Sequence, residues 1–520
     1  MVPWLNLGDM VRVNTAKFPD KVAFLDAKRR FTFSQFNSRA NRLSSALLGL
    51  GLRKGDRVAV LLENCAEICE VYVACAKTGL IIVPINFRLT GREIQYIVNN
   101  SDARVMIVHD EFVPAVDEVK SLLGSVEHFY VVGKTEEHGY ESYLEFIEAH
   151  RDEEPEQKVL PSDTWVLLYT SGTTGTPKGV IRSHESYVAF YLINEVDFKY
   201  EEDEICLNIM PLCHVNSTFF SFAFTYMGAA VYIHPARGFD PLDILEIIQR
   251  EKITFISLIP THYNLILAIP EEKRAKYDVS SIRKLLCSSA PARSETKKGI
   301  MKFFKGVELY EGYGSTEAGI VTTLKPHEQM TNLGSIGRES LGTDLVKILD
   351  ENKKPVKQGE VGELYSRGPM LFDEYYKLPE KTKEAFAGEW FSAGDMARRG
   401  DDGYYYLVDR KHNMIITGGE HVYPSEVEEI ICRRPGVFDA AIVGLPHEKW
   451  GECVTAVVIP KHGEKLAETD IIDFCRDKMA AYKRPKGVIF IAADEMPRTG
   501  TGKILHRKLR EKYASFYEKE

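Results

Sequence analysis

Tyr169-Thr-Ser-Gly-Thr-Thr-Gly-Thr-Pro-Lys-Gly179 sets Thr170, Ser171, Thr173, Thr174 and Thr176 among Gly172, Gly175 and Gly179, with Lys178 near its end. Immediately upstream, Trp165-Val-Leu-Leu-Tyr169 is an apolar, β-prone run bounded by turn residues, which predicts a buried strand. Downstream, Ser183 stands where it can cap a helix carrying Tyr187, Phe190, Tyr191 and Ile193. Glycines free the backbone to aim N–H groups at an anion, hydroxyls add donors and a lysine adds charge. A flexible linker has a similar composition. A loop fixed to a buried strand and ending in a lysine instead favours a polyphosphate ligand. It is not a Walker A loop, because Gly179 follows Lys178 where Ser or Thr is required. Gly502-Lys503 fails the same test, since Ile504 follows.

On either side of this loop, short apolar runs alternate with amphipathic segments. Before it come strands at Lys21–Leu25 and Arg30–Phe33, a helix over Phe36–Leu50, then strand, helix and strand in turn from Arg57 to Val108. After it, strands at Ile205–Met210, Ala229–Ile233, Thr254–Leu258 and Lys284–Cys287 resume the rhythm, with an aromatic helix over Ser217–Tyr226. Asp240-Pro241 opens a further helix, with Asp243 at the capping-box position. Such alternation predicts α/β layers with parallel strands, here as two similarly built sheets. Residues 133–163 are polar and acidic and read as a surface connection. From Gly334 short strands alternate with glycine turns, a β-rich subdomain. The charged break Asp409-Arg-Lys-His412 then leads into a smaller α+β segment. The expected division is a large domain over 1–410 and a small mobile one over 411–520.

Composition narrows the function classes. The 520 residues exceed one core, and a formal charge of −9 argues against nucleic acid as partner. The N-terminus lacks the basic start and apolar core of a signal peptide, and no apolar run approaches the roughly 20 residues of a membrane helix. Nine cysteines without zinc-type spacing read as reduced thiols, so a cytoplasmic protein is expected. Cys65, Cys69 and Cys75 read as small core residues of one helix.

Three further segments bear polar groups on glycine-rich turns: Tyr310-Glu-Gly-Tyr-Gly-Ser-Thr-Glu317, Trp390-Phe-Ser-Ala-Gly-Asp395 and Arg498-Thr-Gly-Thr-Gly-Lys503. Each alone is an ordinary turn. Together with the Tyr169–Gly179 loop, in this order and over nearly the whole chain, they resemble the adenylate-forming superfamily of acyl-CoA synthetases, peptide-synthetase adenylation domains and luciferases.

The resemblance implies that Thr170–Gly175 and Lys178 cradle the ATP phosphates, and that Ser289, Ala290, Pro291, Glu311, Gly312 and Tyr313 line the nucleotide, with Tyr313 on adenine. It puts Thr316 on a phosphate, Glu317 on Mg²⁺, Asp395 and Arg410 on the ribose, and Lys503 between the carboxylate and the α-phosphate. His214 in Leu212-Cys-His214 matches the gate histidine of acyl-CoA synthetases, bordering an acyl pocket with Val215, Asn216, Phe219, Phe220, Gly312 and Gly314. Gly418 and Gly419 match the pantetheine tunnel, and Arg88, Trp450, Tyr482 and Arg484 the contacts to the CoA nucleotide. Lys411-His412 is the expected hinge, with histidine where aspartate or lysine is usual. Ser288–Pro291 departs from the family's glycine-bearing loop, which narrows the expected pocket.

The implied activity is an ATP- and Mg²⁺-dependent ligase joining a small carboxylic acid to CoA, with AMP and pyrophosphate as products. A carrier-protein ligase, a luciferase-like monooxygenase and a non-catalytic nucleotide binder are the rivals. With no obvious cation for a second carboxylate, the acid is expected to be uncharged beyond its reacting group, although Arg182 and Arg293 leave that open. A homodimer is also left open.

Overall fold

A computed structural model describes residues 6–134, 139–170, 177–288, 292–499 and 504–517. The chain divides into two compact units. The first comprises residues up to Leu333 with Glu339–Leu345 and Ser366–Phe391; the second comprises Gly334–Arg338, Val346–Tyr365 and Ser392–Glu520. The β-rich segment after Gly334 thus packs largely with the C-terminal residues.

Two sheets build the first unit. One runs, in spatial order, Glu374–Tyr375, Lys178–Ser183, Thr164–Thr170, Ile81–Pro84, Arg57–Leu61, Ala103–His109, His128–Val132 and Glu141–Ser142. The other includes Gly319–Leu324, Glu308–Ser315, Lys284–Ser288, Phe255–Leu258, Ile205–Asn208, Ala230–Ile233 and Val22–Leu25 in that order. Most neighbouring strands are parallel, as alternation with helices predicts. Two similar sheets were expected, but not that the N-terminal strand Val22–Leu25 would join the second, pairing parallel with Ala230–Ile233.

Strand parity explains the core. Along Arg57–Leu61, Val58 and Val60 face a central cluster, whereas Ala59 and Leu61 face an outer one. The central cluster also takes Phe24, Val231, Phe255 and Leu286 from the second sheet, so helices buried between the sheets are apolar all round. Every residue of the helix Ala66–Thr78 is buried, including Cys69 and Cys75. Trp165 is its anchor, wholly buried, with its indole N–H donating to Tyr72 O at 2.9 Å and edge-on contacts to Tyr72, Tyr187 and Phe222. Truncating such a side chain costs about 3–5 kcal/mol.

Three local expectations change. The 133–163 segment carries the edge strand Glu141–Ser142 and the helix Tyr143–Glu148, whose Tyr143 hydroxyl donates to buried Glu70 at 2.7 Å. Glu154, inside the acidic run, accepts from buried Lys77 at 2.6 Å; a buried ammonium needs an anion, and the run supplies it. Asp240 caps its helix by accepting from Leu242 N, but Asp243 turns to His234 Nε2 at 3.2 Å instead of closing a capping box.

The second unit contains a sheet of Lys347–Leu349, Gly362–Tyr365, Asp395–Arg399 and Tyr405–Arg410. Its other sheet is built on the long hairpin Val437–His447 and Gly451–Pro460, flanked by Ile415–Thr417, Glu420–Val422 and Gly487–Phe490.

Candidate active site

The strand Thr164–Thr170 leads into the glycine-rich loop, and Lys178–Ser183 leaves it antiparallel, with Thr170 opposite Lys178. The two strands are therefore the arms of one hairpin. A strand stands where the sequence announces only the helix that follows at Ser183, because Val180 and its neighbours continue the buried sheet. Ser183 does occupy the N-cap of His184–Phe198, but its hydroxyl makes no capping bond. Ser171, Gly172, Thr173, Thr174 and Gly175 lie outside the described residues, as do Ser289, Ala290, Pro291 and Lys503.

A second hairpin carries the Tyr310–Glu317 segment. Glu308–Ser315 and Gly319–Leu324 pair antiparallel, with Ser315 opposite Gly319, so Thr316–Ala318 form the turn. A Cβ on Gly314 would stand 1.9 Å from Gly319 O, so no other residue fits there. Gly312 has no such clash, and residues 312–316 are the partly exposed end of the strand. Tyr313 and Thr316 sit on this open end, as a nucleotide contact requires.

Glu311 does not. Its carboxylate is buried, pairs with the ammonium of buried Lys297 and accepts from Ala292 N at 3.2 Å. Burial holds its carboxyl above the usual range, with Lys297 opposing. Only the Glu311 backbone remains for a ligand.

Glu317 is buried and accepts from the Tyr375 hydroxyl at 2.7 Å. Lys178 Nζ lies 4.0 Å over the Tyr375 ring, and burial lowers its pKa while Glu317 raises it. Strand Glu374–Tyr375 pairs with Lys178–Ser183, which brings the three side chains to one corner. Arg182, on that same strand, is wholly buried. Its Nη1 donates to Thr316 O at 2.8 Å and Nη2 to Met370 O at 2.7 Å. With both terminal nitrogens so committed, Arg182 offers no fork to a second carboxylate. Arg293 stands at the N-cap of Ser294–Phe303.

Among the described residues no three His, Cys, Asp or Glu side chains cluster as a protein-only metal cage. A single buried carboxylate beside a glycine and hydroxyl loop fits Mg²⁺, which takes one or two carboxylates together with phosphate oxygens and water.

His214 is the N-cap of Val215–Met227; burial, then the Arg88 charge, push its pKa down to about 4, so it is neutral at physiological pH. Its Nε2 is buried with no hydrogen-bond partner among the described residues. Asn216 Nδ2 donates to Ser257 Oγ at 3.0 Å and Ser288 Oγ at 2.8 Å. Val215 is half-buried beside them. Phe219 and Phe220, expected at the pocket border, are only 4% exposed, and Phe219 stacks on Phe190 at 3.8 Å, so both belong to the core. His262, missed in the sequence, stacks on Phe239 at 4.1 Å and is pushed down to about 4 by burial and then Arg88. Nothing in its Pro260-Thr-His sequence announces that environment.

Arg88 belongs to the first unit, where Nη2 donates to Ala236 O at 3.2 Å. In the second, Asp395 and Arg410 face each other across two strands, 3.1 Å apart. Gly418 and Gly419 form the turn after Ile415–Thr417 with φ of +58° and +86°. Trp450 lies on Gly418 and accepts its N–H at 2.9 Å, whereas a Cβ on Gly419 would meet nothing within 4 Å. Trp450 and Tyr482 are exposed, and Arg484 Nε donates to Met479 O at 3.3 Å. Lys411 pairs with Glu363 at 3.1 Å, next to His412.

The sequence matches the AMP-binding enzyme family over residues 11–376 and the AMP-binding enzyme C-terminal domain over 426–503. It is 34% identical to the long-chain-fatty-acid–CoA ligase FadD13 of Mycobacterium tuberculosis, over 98% of this chain and 99% of that one. It is also 34% identical to feruloyl-CoA synthase of an Amycolatopsis species, covering 95% and 96%. The crystal structure of the anthranilate CoA ligase AuaEII in complex with anthranoyl-AMP superposes with a TM-score of 0.91 at 31% identity, over 98% of both chains. The chain belongs to the AMP-binding enzyme family and, with it, to the adenylate-forming superfamily, whose acyl- and aryl-CoA ligases it resembles over nearly its whole length.

Proposed function

We propose that this protein is an AMP-forming acid–thiol ligase that converts a carboxylic acid and CoA to an acyl-CoA at the expense of ATP. The observation that carries the reading is the corner where Lys178, Tyr375 and Glu317 meet at the base of the glycine-rich hairpin. A carboxylate oxygen attacks the α-phosphorus of ATP, pyrophosphate leaves, and the acyl-adenylate forms. CoA thiolate then attacks the acyl carbon and AMP leaves.

Two anions must meet in the first step. Lys178, Lys503 and the Thr170–Gly175 donors offset their repulsion, and Glu317 would hold a magnesium ion, which would supply charge neutralisation at the phosphates. Tyr313 packs on adenine, Thr316 donates to phosphate, and Asp395 with Arg410 orients the ribose. Neutral His214 borders the path between acid and thiol, and Arg88, Trp450, Tyr482 and Arg484 hold the CoA nucleotide. The small C-terminal segment turns about Lys411-His412, presenting Lys503 for adenylation and Gly418–Gly419 for the thiol. The open space at the Cβ position of Gly419 supports its tunnel role.

The acid is mainly apolar and carries no second charge, a medium-chain or aromatic acid. The carbonyl-bound Arg182 supports this, since it is unavailable to a dicarboxylate. Cytoplasmic residence is supported by nine free cysteines, seven of them buried. Among the described residues no helix is long and apolar enough to cross a membrane.

The test is a panel of carboxylic acids with ATP and Mg²⁺, measured for AMP and pyrophosphate with and without CoA. Thioester formation with free CoA is expected. Adenylation without thioester would favour a carrier-protein ligase, and release of ADP would overturn the mechanism. With the two half-reactions assayed separately, Lys503→Ala should cost adenylation on the order of 10²-fold and spare thiolysis of a supplied acyl-adenylate. Gly419→Leu should do the reverse, and equal damage by both variants to both halves refutes the turning segment.

A further inference from the structure

Arg182 carries a full charge in a wholly buried position and, among the described residues, forms no ion pair. What surrounds it is specific. Nη1 donates to the carbonyls of Thr316 at 2.8 Å and Glu317 at 3.4 Å, and Nη2 to the carbonyl of Met370 at 2.7 Å. The guanidinium carbon lies 5.1 Å from the Tyr187 ring centre and 5.0 Å from that of Phe219. Carbonyl dipoles, ring faces and the charges of Asp373 and Glu317, neither in direct ion-pair contact, offset the loss of hydration only in part, and burial holds the Arg182 pKa below its usual value. A plain apolar side chain would fill this place at lower cost. The position therefore has a use other than packing.

The strand Lys178–Ser183 provides that use. Lys178, Val180 and Arg182 share one face, and the strand's edge partner brings in Tyr375. Lys178 sits on the Tyr375 ring, whose hydroxyl holds the Glu317 carboxylate, while Arg182 holds the peptide planes on both sides of the Glu317 Cα. One strand thus fixes Glu317 from both ends, side chain and main chain. The Glu317 carbonyl accepts also from Phe372 N at 2.6 Å, and the Met370 carbonyl ties the same segment to Arg182.

We infer that Arg182 is a positioning residue for the Thr316–Glu317 turn, setting the direction in which Thr316 and Glu317 meet the metal–nucleotide. The inference rests on the assignment of Glu317 to Mg²⁺ in the proposed reaction. Because Arg182 acts on the turn and not on the thiol step, its loss should separate the half-reactions and should weaken the metal's contribution to ATP binding.

The experiment compares wild type, Arg182→Lys and Arg182→Met. ATP affinity is measured by calorimetry with and without Mg²⁺, and the half-reactions are measured separately. In the wild type Mg²⁺ should tighten ATP binding; if it does not, the assignment of Glu317 fails and the inference that rests on it falls with it. Given that tightening, Arg182→Met should lose about tenfold of it, one charge-assisted hydrogen bond's worth. The half-saturating Mg²⁺ for AMP formation should rise similarly, while thiolysis of a supplied acyl-adenylate stays within about twofold. Arg182→Lys keeps the charge with a single-point donor and should fall between; it also serves if Arg182→Met does not fold. An unchanged metal effect on ATP affinity in Arg182→Lys, or equal loss of both half-reactions in a folded variant, overturns the inference.

Discussion

The corner around Glu317 and the turn at Asp409–Asn413 both carry charge, and they hold it differently. At the corner, and on the strand Glu308–Ser315 that leads into its turn, Arg182, Glu311 and the Lys297 paired with Glu311 are sealed from water, each side chain at most 6% exposed, with partners that leave little room for exchange. In the second, Lys411 reaches Glu363 and Arg410 reaches Asp395 with cations 46% and 37% exposed. Buried charges cost much to separate and so preserve one geometry. Half-exposed pairs are worth about 0–1 kcal/mol and can be broken and remade cheaply. A site that must meet a polyphosphate in one arrangement sits on the first kind of support. The joint proposed at Lys411-His412 would be best served by the second.

The strongest way to break this comparison is to remove Lys297. Lys297→Met leaves the Glu311 carboxylate buried without its cation, and the stability of the first unit should fall by about 3–5 kcal/mol. The measurement is a urea unfolding midpoint. Lys297→Met with Glu311→Leu should recover most of the loss, since an apolar pair needs no charge compensation. Arg410→Met, by contrast, should lower the stability of the second unit, to which it belongs, by no more than about 1 kcal/mol. Equal effects would erase the distinction.

Acid sharpens it next. His184 is wholly buried, with Nδ1 accepting from Leu7 N at 3.2 Å, and burial pushes its pKa down to about 3. His214 and His262 are each pushed down to about 4. A histidine depressed on folding binds its proton more readily in the unfolded chain, so stability is lost as pH falls from about 6.5 toward these values. For His184 the slope is about 1.4 kcal/mol per pH unit. The unfolding midpoint of the first unit should therefore drop between pH 7 and pH 5, and His184→Gln should flatten that dependence. A flat wild-type profile would show that His184 is hydrated.

Much of this was legible in the sequence for physical reasons. Runs such as Trp165–Tyr169 and Arg57–Leu62 read as strands because parallel strands buried on both faces are continuously apolar. Gly314 was legible as part of a glycine-rich segment, and it lies on the strand just before the turn, where only glycine survives the approach of Gly319 O. Tyr375 was not, because it comes from a two-residue edge strand and meets Glu317 across 58 residues, a contact with no local signature. The strand after the glycine loop was hidden by its own composition, since Lys178, Gly179 and Arg182 break the apolar pattern. Glu311 was expected to line the nucleotide because it lies in the Tyr310–Glu317 motif, yet strand alternation turns it inward. The join of Val22–Leu25 to Ala230–Ile233 depends on the tertiary path alone.

The smallest expected effect tests the joint itself. Lys411 Nζ and Glu363 are 3.1 Å apart, and Glu363 also receives Lys353 at 3.4 Å. Burial tends to raise the Glu363 carboxyl, but Ser392 and the two lysines together hold it below its usual value. Asp409 adds a separate tie, accepting from Ser425 N at 2.8 Å and so capping the helix Pro424–Cys432 from outside its own sequence neighbourhood. If turning about Lys411-His412 breaks the Lys411–Glu363 pair, the equilibrium between the two arrangements can shift only by what the pair contributes. At about 1 kcal/mol that is at most roughly fivefold. Lys411→Met should therefore change the ratio of the two half-reaction rates by less than about fivefold, and the unfolding midpoint hardly at all. Salt near 1 M, where the screening length falls to about 3 Å, should reproduce most of the shift in the wild type and add little in the variant. A twentyfold or larger change in the ratio, insensitive to salt, would mean that the joint is braced like the Glu317 corner, and the contrast between the two regions would fail.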